Sequence, residues 1–176
     1  ITFLFLGRID DNKGIFDVMS CLIDNKIKFN NKIKIIVGGD GEVDKLLKII
    51  SKNKLENLVE FIGWVSGKDK IKFFQDADVM LLPSYSEGLP ISLLEALSYK
   101  LPLVSTNVGG IPEILDHMTN GLVVEPGNKK EITHALQFYI GNKLKIKEHG
   151  RASYLIAERF FPKNVFKQLE KLYYTL

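Results

Sequence analysis

Residues 79–96 read VMLLPSYSEGLPISLLEA, and this stretch indicates how the chain folds. Its first four residues are apolar and predict a buried strand, while the run from Ile91 onward has the apolar spacing of a helix. Glu87 lies in the loop between them, and Glu95 follows in the helix after seven intervening residues. Both carboxylates therefore belong to one strand-loop-helix corner, which is where open α/β sheets bind ligands.

Strand-like runs and helical patterns alternate in the same way along the rest of the chain. The predicted strands are Thr2–Leu6, Lys34–Val37, Val59–Ile62, Val79–Leu82, Leu103–Ser105 and Leu122–Val124. The predicted helices are Gly14–Lys26, Glu42–Lys52, Lys68–Gln75, Ile91–Tyr99, Pro112–Leu115, Lys130–Tyr139, Lys145–Glu158 and Pro162–Tyr174. Repeated βα units predict an α/β fold, with a Rossmann-like parallel six-stranded sheet and helices on both faces.

The last predicted helix carries an apolar stripe that needs something to pack against. Its members fall at helical spacing and are Val165, Phe166, Leu169, Leu172 and Tyr173. We expect the stripe to pack on the core of this domain; contact with a missing partner domain is the alternative.

Length and composition suit one globular domain, which we expect to span residues 1–176. Of these residues 45% are apolar, and the net charge of +3 is too small to indicate nucleic-acid binding. The longest apolar runs have strand length, so neither a membrane span nor a signal peptide is predicted. Cys21 is the only cysteine, which excludes an internal disulfide and fits a cytoplasmic location. The chain begins inside a predicted strand, so we expect it to be a piece of a longer protein.

No metal site is predicted. His117, His134 and His149 are far apart in the sequence, and we expect them to be surface or partly buried residues. The segment Asp76-Ala77-Asp78 matches a D-x-D pattern, whose two carboxylates can hold a metal ion in some enzymes. It precedes the strand at Val79, on the side where that strand enters the sheet, so a capping or surface role is favoured.

The loop after the first strand, residues 7–14, carries Arg8 and Lys13. A fork of guanidinium donors, an ammonium group and the N-terminus of the following helix together suit a diphosphate. The alternative is that both cations are solvated charges paired with Asp10 or Asp11.

The loop after the second strand contains Gly38-Gly39-Asp40-Gly41 and lacks the third glycine of a dinucleotide fingerprint. Its glycines serve either a tight turn or the close approach of the backbone to a nucleotide, and the sequence leaves both readings open.

The two glutamates of the opening stretch also have two readings. Glu87 precedes Gly88, and a carboxylate there suits sugar hydroxyls. Glu95 has apolar neighbours on its helix, so it needs hydrogen-bond donors such as ribose hydroxyls. The alternative is an exposed Glu95 paired with Lys100, five residues on.

Taken together, the motifs of almost the whole chain resemble the C-terminal, donor-binding domain of the retaining GT-B glycosyltransferases of family 4. The segments that carry the resemblance are Phe5-Leu6-Gly7-Arg8, Lys13-Gly14, Val37-Gly38-Gly39-Asp40-Gly41, Phe61-Ile62-Gly63-Trp64-Val65, Ala77-Asp78-Val79, Leu82-Pro83-Ser84, the two glutamates with their seven-residue spacing, Leu101-Pro102-Leu103-Val104, Val108-Gly109-Gly110-Ile111-Pro112-Glu113 and Asn120-Gly121-Leu122-Val123. The sequence departs from the family pattern at Leu89-Pro90, where an aromatic residue and glycine are frequent, and proline offers no backbone N–H to a donor.

The resemblance implies a role for each candidate residue. Arg8 and Lys13 would hold the diphosphate of a nucleotide sugar and stabilise its developing charge, Glu87 would contact the donor sugar, and Glu95 would hold the ribose. Arg8, Lys13 and Glu87 are thus the implied catalytic residues, with no metal and no cofactor, since the nucleotide sugar is a substrate. The implied donor-binding residues are Gly7, Arg8, Lys13, Gly39, Val65, Lys70, Glu87, Gly88, Leu89, Pro90, Ile91 and Glu95.

The implied whole enzyme is a retaining hexosyltransferase that uses a UDP or GDP sugar in bacterial polysaccharide, capsule, lipopolysaccharide or glycolipid synthesis. Its acceptor, a sugar or lipid-linked glycan, would bind the N-terminal domain that this fragment lacks, so the fragment alone should bind donor without turnover. Contact with the inner face of the membrane is compatible with the mild positive charge. The alternatives are a non-catalytic nucleotide-binding Rossmann module and a GT-B nucleotide-sugar epimerase.

Overall fold

The protein forms one six-stranded parallel sheet in the order β3-β2-β1-β4-β5-β6, which confirms the predicted fold class. The structure is a computed structural model that describes residues 1–174, without the side chains of residues 168, 169, 172 and 174. The strands are β1 (Thr2–Leu6), β2 (Lys34–Gly38), β3 (Val59–Gly63), β4 (Val79–Leu82), β5 (Leu103–Thr106) and β6 (Gly121–Val124). Each apolar run in the sequence became a strand because burial on both faces of a parallel sheet favours continuous apolar residues.

Helices connect and cover the strands. Their bounds are α1 (Ile15–Asp24), α2 (Lys26–Phe29), α3 (Val43–Lys52), α4 (Gly67–Asp76), α5 (Ile91–Ser98), α6 (Lys129–Gly141), α7 (Lys143–Ala157) and α8 (Pro162–Tyr174). Helix α1 packs on α6, and α5 packs on α7. Crossovers between parallel strands are right-handed, and the chain moves in opposite directions after β1 and after β4, so α1 and α5 lie on opposite faces.

This change of direction determines where a ligand can bind. Strands β1 and β4 are neighbours, but the connection after β1 leads to β2 and the connection after β4 leads to β5 on the other side. The two loops therefore diverge above the sheet and leave a crevice at the carboxyl ends of the strands. Residues 79–96 form one wall of this topological switch point.

Several local expectations were wrong. The short helix α2 was not predicted, and the predicted helix at Pro112–Leu115 is a 3-10 turn at Ile111–Glu113. The side chains of Val165, Phe166 and Tyr173 on α8 are exposed, so the stripe does not pack on the core at these positions. The side chains of Leu169 and Leu172, also assigned to this stripe, lie outside the described residues.

One histidine also differs from the expectation of surface or partial burial. His149 on α7 is completely buried, and its Nδ1 lies 3.0 Å from the hydroxyl oxygen of Tyr139 on α6. Burial lowers the pKa of His149, so the core favours its neutral form. Within residues 1–174, no helix combines the length and the apolar character that crossing a bilayer requires.

Strand β6 forms one edge of the sheet, and side chains cover part of that edge. The backbone N–H of Val123 donates to Nδ1 of His117 at 3.1 Å. Directly after the strand, the N–H of Glu125 donates to Oε2 of Glu131 at 2.7 Å. Two backbone donors that a parallel neighbour could have used are thus satisfied within the chain.

Candidate functional site

The loops after β1 and β4 meet at an ion pair. Nζ of Lys13 lies 2.7 Å from Oε1 of Glu87, and the hydroxyl of Ser84 donates to the same oxygen at 2.7 Å. The side chains are largely buried, with exposed fractions of 22% for Lys13 and 7% for Glu87. Because the surroundings exclude much of the solvent, a pair of this kind interacts more strongly than a surface pair. The sequence alternative that Lys13 pairs with Asp10 or Asp11 was wrong for its side chain.

Hydrogen bonds from β5 and from the loop after it hold the Glu87 loop in place. The hydroxyl of Thr106 donates to the carbonyl of Ser84 at 2.7 Å, and the N–H of Gly110 donates to the carbonyl of Gly88 at 2.7 Å. Gly109 has φ +57°, and a Cβ there would lie 1.9 Å from the carbonyl oxygen of Glu87. Only glycine can bring the two loops this close without a backbone shift.

Arg8 is held less tightly than Lys13. Its Nε lies 3.5 Å from Oδ2 of Asp10, and 69% of its side chain is exposed. Asp10 also caps the 3-10 turn at Asp11–Lys13 by accepting the N–H of Lys13 at 3.0 Å. Arg8 is therefore a mostly exposed charge paired with Asp10, as one of the two interpretations of the sequence had it, and its guanidinium borders the cleft described next.

A cleft of about 290 Å³ lies over the carboxyl ends of β1, β2 and β3. Its lining combines glycine backbone, apolar side chains and a few charged groups. The lining residues are Leu6, Gly7, Arg8, Gly38, Gly39, Asp40, Trp64, Val65, Lys70 and Ser92. Gly39 has φ +150°, and a Cβ there would lie 1.9 Å from the carbonyl oxygen of Gly7, so the tight-turn interpretation of this loop is correct.

Lys70 on α4 connects this cleft to the second glutamate. Its Nζ lies 2.8 Å from Oε1 and 2.6 Å from Oε2 of Glu95 on α5, and 35% of the Glu95 side chain is exposed. The predicted alternative partner, Lys100, instead places its Nζ 5.2 Å from the ring centroid of Tyr154. Glu95 therefore does pair with a lysine, but with one on a neighbouring helix.

The structure brings the sequence-predicted site residues into two adjoining groups. The residues that line the cleft are Gly7, Arg8, Gly39, Val65 and Lys70. The others lie in the corner formed by the β1 and β4 loops and α5, and they are Lys13, Glu87, Gly88, Leu89, Pro90, Ile91 and Glu95.

Five residues of the cleft lining were not among the predicted site residues, namely Leu6, Gly38, Asp40, Trp64 and Ser92. For Trp64 a signal was available, since it is the sole tryptophan and directly follows β3.

The D-x-D segment lies at the opposite edge of the sheet, as its position in the sequence predicted. Oδ2 of Asp78 accepts the N–H of Thr2 at the start of β1, at 2.7 Å. The predicted capping role is thus confirmed for Asp78. Over the described part of the chain, no group of three or more His, Cys, Asp or Glu side chains has a metal-binding arrangement.

A Rossmann-like parallel sheet with a cleft and paired charges at its switch point defines a domain of the α/β class with a candidate ligand site at the carboxyl ends of its strands. The chain belongs to the family of glycosyl transferases group 1, whose model matches residues 1–155. Its fold is that of the C-terminal domain of a GT-B glycosyltransferase.

Similar proteins agree with this family. The N-acetyl-α-D-glucosaminyl L-malate synthase of Bacillus anthracis is 31% identical over 167 residues, which are 93% of this chain and 42% of that protein. The crystal structure of HepE from Anabaena in complex with UDP-glucose superposes with a TM-score of 0.85 at 23% identity, over 99% of this chain and 49% of HepE. The C-terminal domain of the group 1 family protein LpcC from Francisella tularensis superposes with a TM-score of 0.79 at 22% identity, over 89% of this chain and 84% of that domain. This chain spans between 33% and 48% of the length of the curated relatives it matches.

Proposed function

We propose that this chain is the donor-binding half of a retaining glycosyltransferase of family 4 and that it binds a nucleoside diphosphate sugar. The observation that carries the proposal is the Lys13–Glu87 pair, which places a cation and a carboxylate beside a cleft at the switch point of the sheet. A cation meets the diphosphate and a carboxylate meets sugar hydroxyls, so the two adjacent groups suit the two adjacent parts of such a donor.

The order of groups along the sheet supports one orientation of the donor. Val65 follows β3, Gly39 follows β2, Arg8 follows β1, and Glu87 follows β4. Neighbouring strands lie about 4.8 Å apart, so the β3 and β4 loops are separated by roughly 14 Å. In the proposal the base lies at Val65, the diphosphate lies at Arg8 and Lys13, and the sugar lies at Glu87.

Glu95 and Lys70 would lie beside the ribose in this orientation. Nζ of Lys70 hydrogen-bonds Oε1 of Glu95 and lies close to Oε2, which has no hydrogen-bond partner of its own among the described residues. The backbone from Gly88 to Ile91 would border the sugar and phosphate, next to the N-terminus of α5, whose dipole favours negative charge.

The proposed reaction breaks the bond between the anomeric carbon and the diphosphate oxygen and forms a bond from that carbon to an acceptor oxygen on the same face. The electron pair of the broken bond remains on the diphosphate, where Arg8 and Lys13 would stabilise its charge. The acceptor hydroxyl would release its proton to an oxygen of the leaving phosphate. In this proposal the chain's own cations balance the charge of the leaving group.

The proposal divides the work between two domains. Residues 1–176 would form a single donor-binding domain, and an N-terminal domain outside this chain would bind the acceptor. Polysaccharide, lipopolysaccharide or glycolipid synthesis would provide that acceptor. The isolated chain should then bind donor without transferring sugar.

Calorimetric titration of this chain with UDP, GDP and ADP tests the proposal. We expect at least one of the three to bind and Lys13→Ala to weaken its binding at least tenfold, with a smaller loss for Arg8→Ala. Lys145→Ala removes a lysine from an exposed pair on α7 and is the matched control. If the wild-type chain binds none of the three, or if both site variants bind as the control does, the proposed phosphate site is wrong.

A further inference from the structure

Trp64 is an exposed aromatic residue in the lining of the cleft, and the proposed roles do not use it. Trp64 is 72% exposed, although a tryptophan side chain offers a large apolar surface that is usually buried. Among the residues that the structure describes, no aromatic ring stacks on its indole and no cation lies over it. The face of the indole is therefore free for a ligand in the cleft.

The position of Trp64 limits what that ligand group is. Trp64 follows β3, and Glu87 follows β4, which lies three strands away in the sheet. The adjacent lining residue Val65 is apolar, whereas the loop after β4 carries the largely buried ion pair. A flat, uncharged and aromatic group suits the β3 end better than a phosphate or a sugar does.

From these observations we infer that Trp64 is the stacking platform for the nucleobase of the donor. The inference rests on the proposed function, which supplies the nucleotide. Every base has an aromatic face, so stacking contributes affinity without selecting one base. Trp64 would thus determine how tightly the nucleoside is held, and hydrogen-bonding groups elsewhere in the cleft would determine which base is preferred.

The chain reports this contact through its own fluorescence, because Trp64 is its sole tryptophan. We expect UDP, GDP or ADP, whichever binds in calorimetry, to quench or shift the emission of Trp64. Inorganic pyrophosphate, which carries the diphosphate without a base, should leave the emission unchanged at concentrations that compete with the nucleotide.

Substitution gives a second, independent readout. We expect Trp64→Ala to weaken nucleoside diphosphate binding on the order of tenfold and Trp64→Phe to retain most of the affinity. Pyrophosphate binding should be the same in both variants and in wild type. Leu144→Ala, which removes another exposed apolar side chain from α7, is the matched control, and circular dichroism checks that each variant folds.

The possible results separate this inference from the function on which it rests. Nucleotide binding by wild type, with unchanged emission and an unchanged affinity in Trp64→Ala, would refute the stacking role and leave the proposed function intact. An equal loss of pyrophosphate and nucleotide binding in Trp64→Ala would also refute it, because the effect would then lie in the phosphate site. Failure of wild type to bind any of the three nucleotides would refute both.

Discussion

The two ends of the proposed donor site are built differently. At the β4 end, Glu87 receives hydrogen bonds from Lys13 and Ser84, and neighbouring loops fix the backbone around it. At the β3 end, Trp64 is 72% exposed, and within the described part of the chain no aromatic ring or cation packs on its indole. The chemistry of sugar transfer needs groups held in position, whereas holding a base needs contact area, so the difference matches the proposed division of roles.

Breaking the ion pair between Lys13 and Glu87 tests the β4 end of the site most severely. We expect Lys13→Met to weaken nucleoside diphosphate binding roughly 100-fold, since a charged partner of the diphosphate is lost. The same change leaves the Glu87 carboxylate without its cation in a largely buried position and should lower the free energy of unfolding by about 3 kcal/mol. Titration calorimetry and urea denaturation measure the two effects.

Two controls separate charge from packing in that experiment. Lys13→Met combined with Glu87→Gln should recover part of the lost stability, because the uncompensated charge is removed. Lys45→Met removes exposed ion pairs with Asp11 and Glu42 and a cation over the Phe16 ring, so it should lower the free energy of unfolding by only about 1 kcal/mol and leave binding unchanged. Equal destabilisation by the Lys13 and Lys45 substitutions would contradict the view that buried contacts hold the β4 end of the site in position.

Gly109 tests the support beneath the Glu87 loop. We expect Gly109→Ala to lower the free energy of unfolding by about 2 kcal/mol, because alanine is strained at φ +57° and its Cβ would meet the Glu87 carbonyl. Gly141→Ala is the control, since a Cβ there has no neighbour within 4 Å. Urea denaturation should distinguish the two substitutions, and similar stability would mean that the loop adjusts freely.

Substitution of Ser84 tests the single hydrogen bond from its hydroxyl to the Glu87 carboxylate. We expect Ser84→Ala to cost about 1.5 kcal/mol of stability, because a bond to a charged carboxylate is lost. Nucleoside diphosphate binding should weaken as well if that bond orients the loop. Ser153→Ala removes a buried hydroxyl that donates to Asn120 away from the site, and it should affect stability alone.

Lys70 should give the smallest effect on stability. Its pair with Glu95 is about one-third exposed on both sides, so Lys70→Met should change the free energy of unfolding by less than about 1 kcal/mol. Nucleotide affinity is the informative measurement, with Lys145→Met as the matched control on an exposed pair. A stability loss as large as that of Lys13→Met would show that the pair between Lys70 and Glu95 stabilises the fold as strongly as the buried pair does.

The sequence predicted the sheet better than the side-chain contacts of the site. The six strands follow from local apolar runs, and the common location of the β1 and β4 loops follows from the rule that carboxyl ends of parallel strands share an edge. The ion pair between Lys13 and Glu87 was not predicted, because the two residues are 74 positions apart in the sequence. The partner of Glu95 could not be predicted, because Lys70 lies on a different helix and comes close only through tertiary packing.

Burial was the least predictable property. His149 lies in a charged stretch of α7 but becomes buried against Tyr139, while the apolar residues Val165 and Phe166 of α8 remain exposed. In both cases the outcome depends on what the helix meets in three dimensions, and the spacing of residues along one helix does not contain that information.

The covered edge of β6 has a consequence for how copies of this protein behave when they are concentrated. An open strand edge is a template on which a second chain can add its own strand, and such additions lead to aggregates. With the N–H groups of Val123 and Glu125 already bonded to His117 and Glu131, an incoming strand would first have to displace two side chains. Part of the protein's resistance to aggregation would then depend on the imidazole of His117 and the carboxylate of Glu131.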